Sequence, residues 1–452
     1  MRTPFIHRVE SPGLPTIAGT LAFGLVLALA PALFPSAVPV AAAQGSTNVP
    51  ARTEFYIPPT ELPDEVGAVI RSEPMSFTPS VPDLAGGGAL PADARRIMYR
   101  STGATGGPIA VTGTYLQPKA PWRGPGARPL AVIAPGTQGQ GDQCAPSRSM
   151  EVGLGIATAP PSMGAGYTVI DALPMIEQGF AVVVTDYEGL GTPGHHPYIN
   201  RDSQGHATLD AARAALRLPH TDLEPDSKVV VSGYSQGGGA AAAAGELQPA
   251  YAPDVNLVGI TAGAPPSDML GTLDRVDGGV LTGAVGYAIN GILQVYPETR
   301  PAFDRILNDE GRRMLKVTAG QCVVDTALAY GLRSTSDFTV GGRSLADAAR
   351  SEPEIVRVLE GYNLGTAAPR VPALVMIGRH DDVVPHHTAV NLTRSWCEQG
   401  AVVELRTAEL PRTAPGFVVD HALPMLTEWA TSARYLKDRV LDRPAPTSCG
   451  AV

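Results

Sequence analysis

The sequence predicts an α/β fold: a mostly parallel central sheet with helices on both faces and an inserted helical cap. Two observations carry this. Short, unbroken apolar runs at 130–134, 180–185, 229–232, 257–262 and 373–377 alternate with helical stretches. An unbroken apolar run is what a parallel strand buried on both faces requires. Residues 269–365 then interrupt the rhythm with helix-like pieces and no buried strand, after which the sheet pattern resumes. A resumed sheet favours an insertion over it rather than a separate second domain.

Taken in order, the N-terminus reads as an export signal. Arg2 and Arg8 supply positive charge, residues 16–43 carry no charge, and Ala41-Ala42-Ala43 offers a small-residue cleavage pattern, so the cut is expected after Ala43. An uncleaved anchor is the alternative, since the uncharged run is long enough to span a bilayer; Pro31, Pro35 and Pro39 interrupt its second half. Residues 44–63 read as a loose arm. Residues 96–100 and 109–117 read as paired strands about the Gly-rich turn 103–108. A last strand is expected at 402–405. Helices are expected at 208–218, stopped by Pro219, at the Ala-rich 236–247, and at 423–440; within the insertion they are expected at 300–315 and 345–359. The resulting organisation is a signal (1–43), a core in two parts (44–268 and 366–452), and a cap (269–365).

Composition narrows the function. A net charge of -9 argues against a nucleic-acid partner, whose footprint would be basic. The 50 glycines and 43 prolines imply many turns rather than a helical bundle. Cys144, Cys322, Cys397 and Cys449 are an even set behind an export signal, which suggests two disulfides with three pairings open. Their spacing is too wide for a zinc site.

The chemistry centres on Gly233-Tyr234-Ser235-Gln236-Gly237, which follows a buried run and opens an Ala-rich helix. The five-residue pattern alone is weak in a glycine-rich chain; the strand before it and the helix after it give it weight. Together they form a nucleophile elbow, a turn so tight that the serine's neighbours must be small. The rival reading is a glycine-rich turn with a passive serine. A serine needs a base, and the base an orienting acid, in the chain order Ser, Asp or Glu, His. Asp381 follows the run 373–377 and is the expected acid, with Asp382 second. His386 and His387 sit on the same loop as Asp381, too close to reach between it and Ser235, which leaves His421 as the base. Asp420 beside it reads as solvated. The backbone N–H groups of Gln236 and of Thr137, in the loop after 130–134, are the expected oxyanion donors. That loop is Gly-rich but lacks the G-K-[ST] ending of a phosphate loop. His380, Asp381, Asp382, His386 and His387 read as ordinary loop residues rather than metal ligands, and His195 and His196 as surface or pocket-rim residues. No metal or organic cofactor is expected. Asp186 precedes Ser235, the wrong order for the acid, and reads as a brace for the turn 189–194.

Several stretches resemble the secretory lipase family. They are Ala134-Pro-Gly-Thr137 with Cys144-Ala-Pro-Ser147, Asp186-Tyr-Glu-Gly-Leu-Gly-Thr-Pro-Gly194, Gly233-Tyr-Ser-Gln-Gly-Gly-Gly239, and Asp381-Asp-Val-Val-Pro385. The resemblance spans most of the chain after the signal. It implies an α/β-hydrolase fold, triacylglycerol lipase or esterase activity, a helical cap between serine and acid, and a triad of Ser235, Asp381 and His421. It also implies pairing of Cys144 with Cys322 and of Cys397 with Cys449. Many members carry His where Ala134 or Pro135 stands here. The expected function is secreted lipid or ester hydrolysis through an acyl-enzyme, with transient contact between the cap and a lipid surface. The rivals are an acyltransferase on the same triad, a peptidase, and a catalytically silent lipid-binding protein. Residues 280–293 and 323–332 are apolar enough to line an acyl pocket or to pack the cap internally.

Overall fold

The computed structural model describes residues 54–75, 91–152, 154–158 and 161–452. The expected export signal, the expected cut after Ala43 and the first part of the arm lie outside the described residues.

The strands are β1 (Val69–Met75), β2 (Ala92–Thr102), β3 (Pro108–Pro118), β4 (Leu130–Ala134), β5 (Leu154–Thr158), β6 (Pro161–Ala165), β7 (Ala181–Thr185), β8 (Val229–Tyr234), β9 (Leu257–Gly263), β10 (Ala373–Gly378) and β11 (Val403–Ala408). Nine form one sheet in the order β1-β2-β3-β7-β4-β8-β9-β10-β11. Pairing is antiparallel from β1 to β7 and parallel from β7 onward. Every residue of β4, β7 and β10 is buried. That is why these runs show no polar alternation: helices cover both sides.

Thirteen α-helices are described: α1 (Pro146–Val152), α2 (Thr168–Glu177), α3 (Arg201–Leu216), α4 (Gln236–Tyr251), α5 (Met269–Val276), α6 (Val285–Val295), α7 (Arg300–Ile306), α8 (Asp309–Thr318), α9 (Val323–Tyr330), α10 (Leu345–Arg350), α11 (Pro353–Tyr362), α12 (His386–Glu398) and α13 (Val419–Val440). Seven of them, α5 to α11, lie between β9 and β10 and enclose a core of their own that includes Met269, Ile289, Ile292, Phe303, Ile306 and Leu359.

Several boundaries differ from expectation, each for a local reason. The single helix expected at 300–315 is two, because the Asn308 side chain turns back to accept from Gly311 N at 2.9 Å and starts α8. The helix expected at 345–359 breaks ahead of Pro353, which suits a first helical turn but not an interior. Helix α3 starts seven residues early at Arg201, where Asn200 accepts from Ser203 N at 2.8 Å. The described part of the arm is not loose: Phe55 and Tyr56 are buried, and the Arg148 guanidinium lies 4.1 Å from the Tyr56 ring centroid. The sequence pattern does not predict strand β1, since its edge position leaves it the mixed sequence VIRSEPM. Nor does it predict the β5–β6 hairpin.

Candidate active site

Ser235 joins β8 to α4 with φ 59° and ψ -123°. A non-glycine residue is held there at a cost of about 1–3 kcal/mol, which neighbouring contacts must offset. Ser235 N donates to Gly263 O at 2.8 Å, and its carbonyl accepts from Gly239 N at 3.0 Å. A Cβ on Gly233 would sit 2.2 Å from Gly237 O, and one on Gly237 would sit 2.0 Å from Ala134 O. Glycine at both positions lets β4, β8 and α4 converge at the elbow.

Asp381 follows β10 in a tight turn. One carboxylate oxygen, Oδ1, accepts from Val383 N at 2.9 Å and Val384 N at 2.8 Å; the other, Oδ2, lies 2.7 Å from His421 Nδ1. Both residues are buried. The Asp381 carbonyl accepts two bonds from the Arg275 guanidinium, so α5 also grips this turn. His421 Nε2 is buried and has no hydrogen-bond partner among the described residues. The imidazole packs against Tyr234, with ring centroids 5.2 Å apart, which sets it beside the residue preceding the serine. Burial pulls the His421 pKa down, but the Asp381 charge, the hydrogen bond to it and the Asp382 charge outweigh that and raise it above 6.5. His421 lies in the first turn of α13, not ahead of the closing helix as expected.

Thr137 and Gln236 line one cavity with Ser235. Gln236 is the first residue of α4, where backbone N–H groups have no intrahelical partner, and Thr137 N donates to no acceptor among the described residues. Counting its open mouth, the cavity encloses about 870 Å³. Its walls are almost wholly apolar and continue into α5, α6, α7, α10 and α11 through residues such as Leu273, Ile289, Ile292, Phe303 and Leu359. Of the two apolar pieces left open between pocket lining and cap packing, 280–293 lines the cavity, while 323–332 contributes none of the lining.

A profile of the secretory lipase family matches residues 161–447. The chain belongs to that family. A secreted triacylglycerol lipase of Malassezia globosa is 27% identical over 409 residues, covering 89% of this chain and 83% of that protein. A protein of Mycobacterium tuberculosis named a probable inactive lipase is 30% identical over 362 residues, covering 78% and 76% respectively. The closed-state structure of Candida antarctica lipase A superposes with a TM-score of 0.73 at 22% identity over 88% of each chain, a likeness of fold.

Within this secretory lipase, several supports escaped the sequence reading. Asp382 is not a spare acid: its carboxylate accepts from His421 N at 3.0 Å and Val418 N at 2.9 Å, holding the histidine's backbone. Tyr234 OH donates to His421 O at 2.7 Å. Three tyrosines hold the loop after β4: Tyr187 OH donates to Pro135 O at 3.0 Å, Tyr167 OH donates to Thr137 O at 2.7 Å, and Tyr198 OH lies 2.7 Å from Thr137 Oγ1. The same loop is bound to the start of α9 by Val323 N donating to Gln138 O at 2.8 Å and by the Cys144–Cys322 disulfide. The second disulfide joins Cys397 and Cys449.

Three readings need correction. His196 is not a rim residue but fully buried; its Nδ1 donates to Glu188 O at 2.8 Å, so Nε2 is the acceptor for Gln236 Nε2 at 2.8 Å. Burial lowers the His196 pKa to about 4 and keeps the ring neutral. His195, by contrast, is exposed. Asp420 is buried rather than solvated, accepting from Thr413 N at 2.8 Å. Asp186 braces the start of α1 and strand β3, not the turn 189–194: it accepts from Ser147 N at 2.8 Å, Ser147 Oγ and Thr112 Oγ1 at 2.7 Å. No signal in the sequence marks these partners, because most of them are distant in the chain. Among the described residues no group of three His, Cys, Asp or Glu converges as a metal site; His386 Nε2 instead contacts Thr407 Oγ1 at 2.9 Å.

Proposed function

We propose that this chain is an exported serine hydrolase that cleaves acylglycerol esters through an acyl-enzyme, with Ser235 as nucleophile, His421 as base, Asp381 as orienting acid, and the N–H groups of Gln236 and Thr137 as oxyanion donors. One observation carries the reading most: His421 receives Asp381 at Nδ1, keeps Nε2 unpartnered, and lies against the strained elbow at the head of an apolar cavity. Family membership alone would not decide activity, since one relative is named probably inactive. A complete acid–base relay beside a serine is what an active member needs.

His421 takes the Ser235 proton as the oxygen attacks the ester carbonyl. Asp381 offsets the imidazolium charge, and the two N–H groups stabilise the oxyanion. His421 then protonates the departing alcohol, and water repeats the cycle on the acyl-enzyme. Residues 269–365 act as the cap: their helices wall the cavity and take the acyl chain. Each methylene buried there contributes about 0.8 kcal/mol, so kcat/KM should rise about fourfold per methylene until the cavity is filled. Exposed Leu332 and Phe417 support transient contact with a lipid surface, because backbone hydrogen bonds from Leu332 to Gly279 and from Val280 to Gly416 set them beside the cavity wall at Leu281. Export follows from the N-terminal signal, cut after Ala43. Among the described residues no helix is long and apolar enough to cross a membrane.

The test is Ser235→Ala in the purified mature protein, assayed on esters from acetate to long-chain triacylglycerol. We expect an unchanged melting temperature and a loss of about 10⁶-fold in kcat. Turnover within tenfold of wild type would refute the assignment.

A further inference from the structure

Thr137 Oγ1 and Tyr198 OH lie 2.7 Å apart, and neither oxygen has another hydrogen-bond partner among the described residues. Two hydroxyls carry two protons, and one bond between them uses only one. The second proton is therefore unused. It belongs to a pair that lines the same cavity as Ser235 and Gln236, whose remaining walls are almost wholly apolar. Thr137 is nearly buried, so bulk water does not readily take up that proton. A donor with no protein acceptor, lining the same cavity as the proposed nucleophile, is arranged for a ligand oxygen.

From this geometry we infer that the Thr137 side chain is a third oxyanion donor, supplementing the two backbone N–H groups. The direction of the pair follows from acidity. A phenol is the more acidic hydroxyl, so Tyr198 donates to Thr137 Oγ1, and the threonine proton is the one left free. Accepting that bond polarises the threonine O–H and strengthens it as a donor. Tyr167 supports the arrangement from behind by donating to the Thr137 carbonyl at 2.7 Å, which fixes the peptide carrying the hydroxyl. The proton remains on Oγ1 throughout; only its hydrogen bond forms, as negative charge gathers on the carbonyl oxygen. Tyr198 is thus a positioning residue, acting through Thr137.

This inference rests on the Ser235 reading, and the experiment separates the two. Labelling of the wild-type enzyme with a fluorophosphonate tests the serine alone. Thr137→Val keeps the shape of the side chain and removes the hydroxyl. We expect labelling of the wild type, and in Thr137→Val a kcat lower by about 10²-fold with KM little changed. Affinity for an alkyl trifluoromethyl ketone, whose adduct carries the oxyanion, should fall in parallel. Thr137→Ser should recover most of the loss, and Tyr198→Phe should show a smaller loss than Thr137→Val. A labelled enzyme in which Thr137→Val keeps kcat within threefold overturns the inference and leaves the serine reading intact. So does a Tyr198→Phe loss larger than that of Thr137→Val. An unlabelled wild type overturns both.

Discussion

Replacing Asp381 by Asn probes the proposed relay at one atom. The side chain keeps its shape, so the question is which way the amide faces. Asp381 Oδ1 accepts from two backbone N–H groups, at 2.9 and 2.8 Å, while Oδ2 faces His421 Nδ1 at 2.7 Å. An asparagine that kept its oxygen on Val383 and Val384 would point its NH₂ at His421. Flipping it would set that NH₂ against two donors and leave both unsatisfied, at about 1–3 kcal/mol each. The flip is then disfavoured by about 2–6 kcal/mol, so its population stays below about 3%. In the favoured orientation the substituted amide donates to Nδ1, and the imidazole proton is forced onto Nε2. On the proposed assignment, Nε2 is then a donor and cannot take the Ser235 proton. A wrong-tautomer relay loses on the order of 10⁴-fold in kcat, which corresponds to about 5.4 kcal/mol of transition-state stabilisation. The flipped minority caps the residual activity at about 3% of wild type. The assay is steady-state hydrolysis of a p-nitrophenyl ester, with a thermal melt showing that the fold persists. A folded Asp381→Asn variant with more than about a tenth of wild-type kcat would refute this account of the relay.

Further outcomes follow from neighbouring residues. In the proposed mechanism His421 must be neutral to act as base, and its folded pKa is raised, so kcat/KM should climb with pH through a midpoint above 6.5. By linkage, the stability gained from the charged His421–Asp381 pair is fully present below pH 6.5 and lost as pH rises through the raised pKa. Asp382→Asn removes one of the charges that raise it and should shift the activity midpoint downward; an unmoved or higher midpoint counts against the assignment. Gly237→Ala would place a Cβ 2.0 Å from Ala134 O, so α4 or the loop carrying Thr137 must move. We expect about 1–3 kcal/mol of destabilisation together with reduced kcat, checked by urea unfolding and ester hydrolysis. A variant unchanged in both measures would contradict the close approach.

The amino-acid order alone fixed the parallel strands, the elbow at Ser235 and the succession of Asp381 and His421, because each is a local pattern. A fully buried strand must be an apolar run, and a tight elbow must be flanked by glycine. The edge strand β1 stayed hidden, since partial exposure allows it a mixed sequence. The insertion's helix breaks at Asn308 and Pro353 were written in capping and proline chemistry, yet apolar periodicity ran across both. What surrounds the relay was decided only by tertiary structure. Asp382 under the His421 backbone, buried His196 on the Gln236 amide, and Tyr167, Tyr187 and Tyr198 on the loop after β4 act across 30 to 61 residues of chain. A hydrogen bond between distant residues leaves no periodicity in either segment. Burial that lowers the His196 pKa to about 4, and the Asp381 and Asp382 charges that raise His421 above 6.5 against its own burial, depend on what packs around each ring.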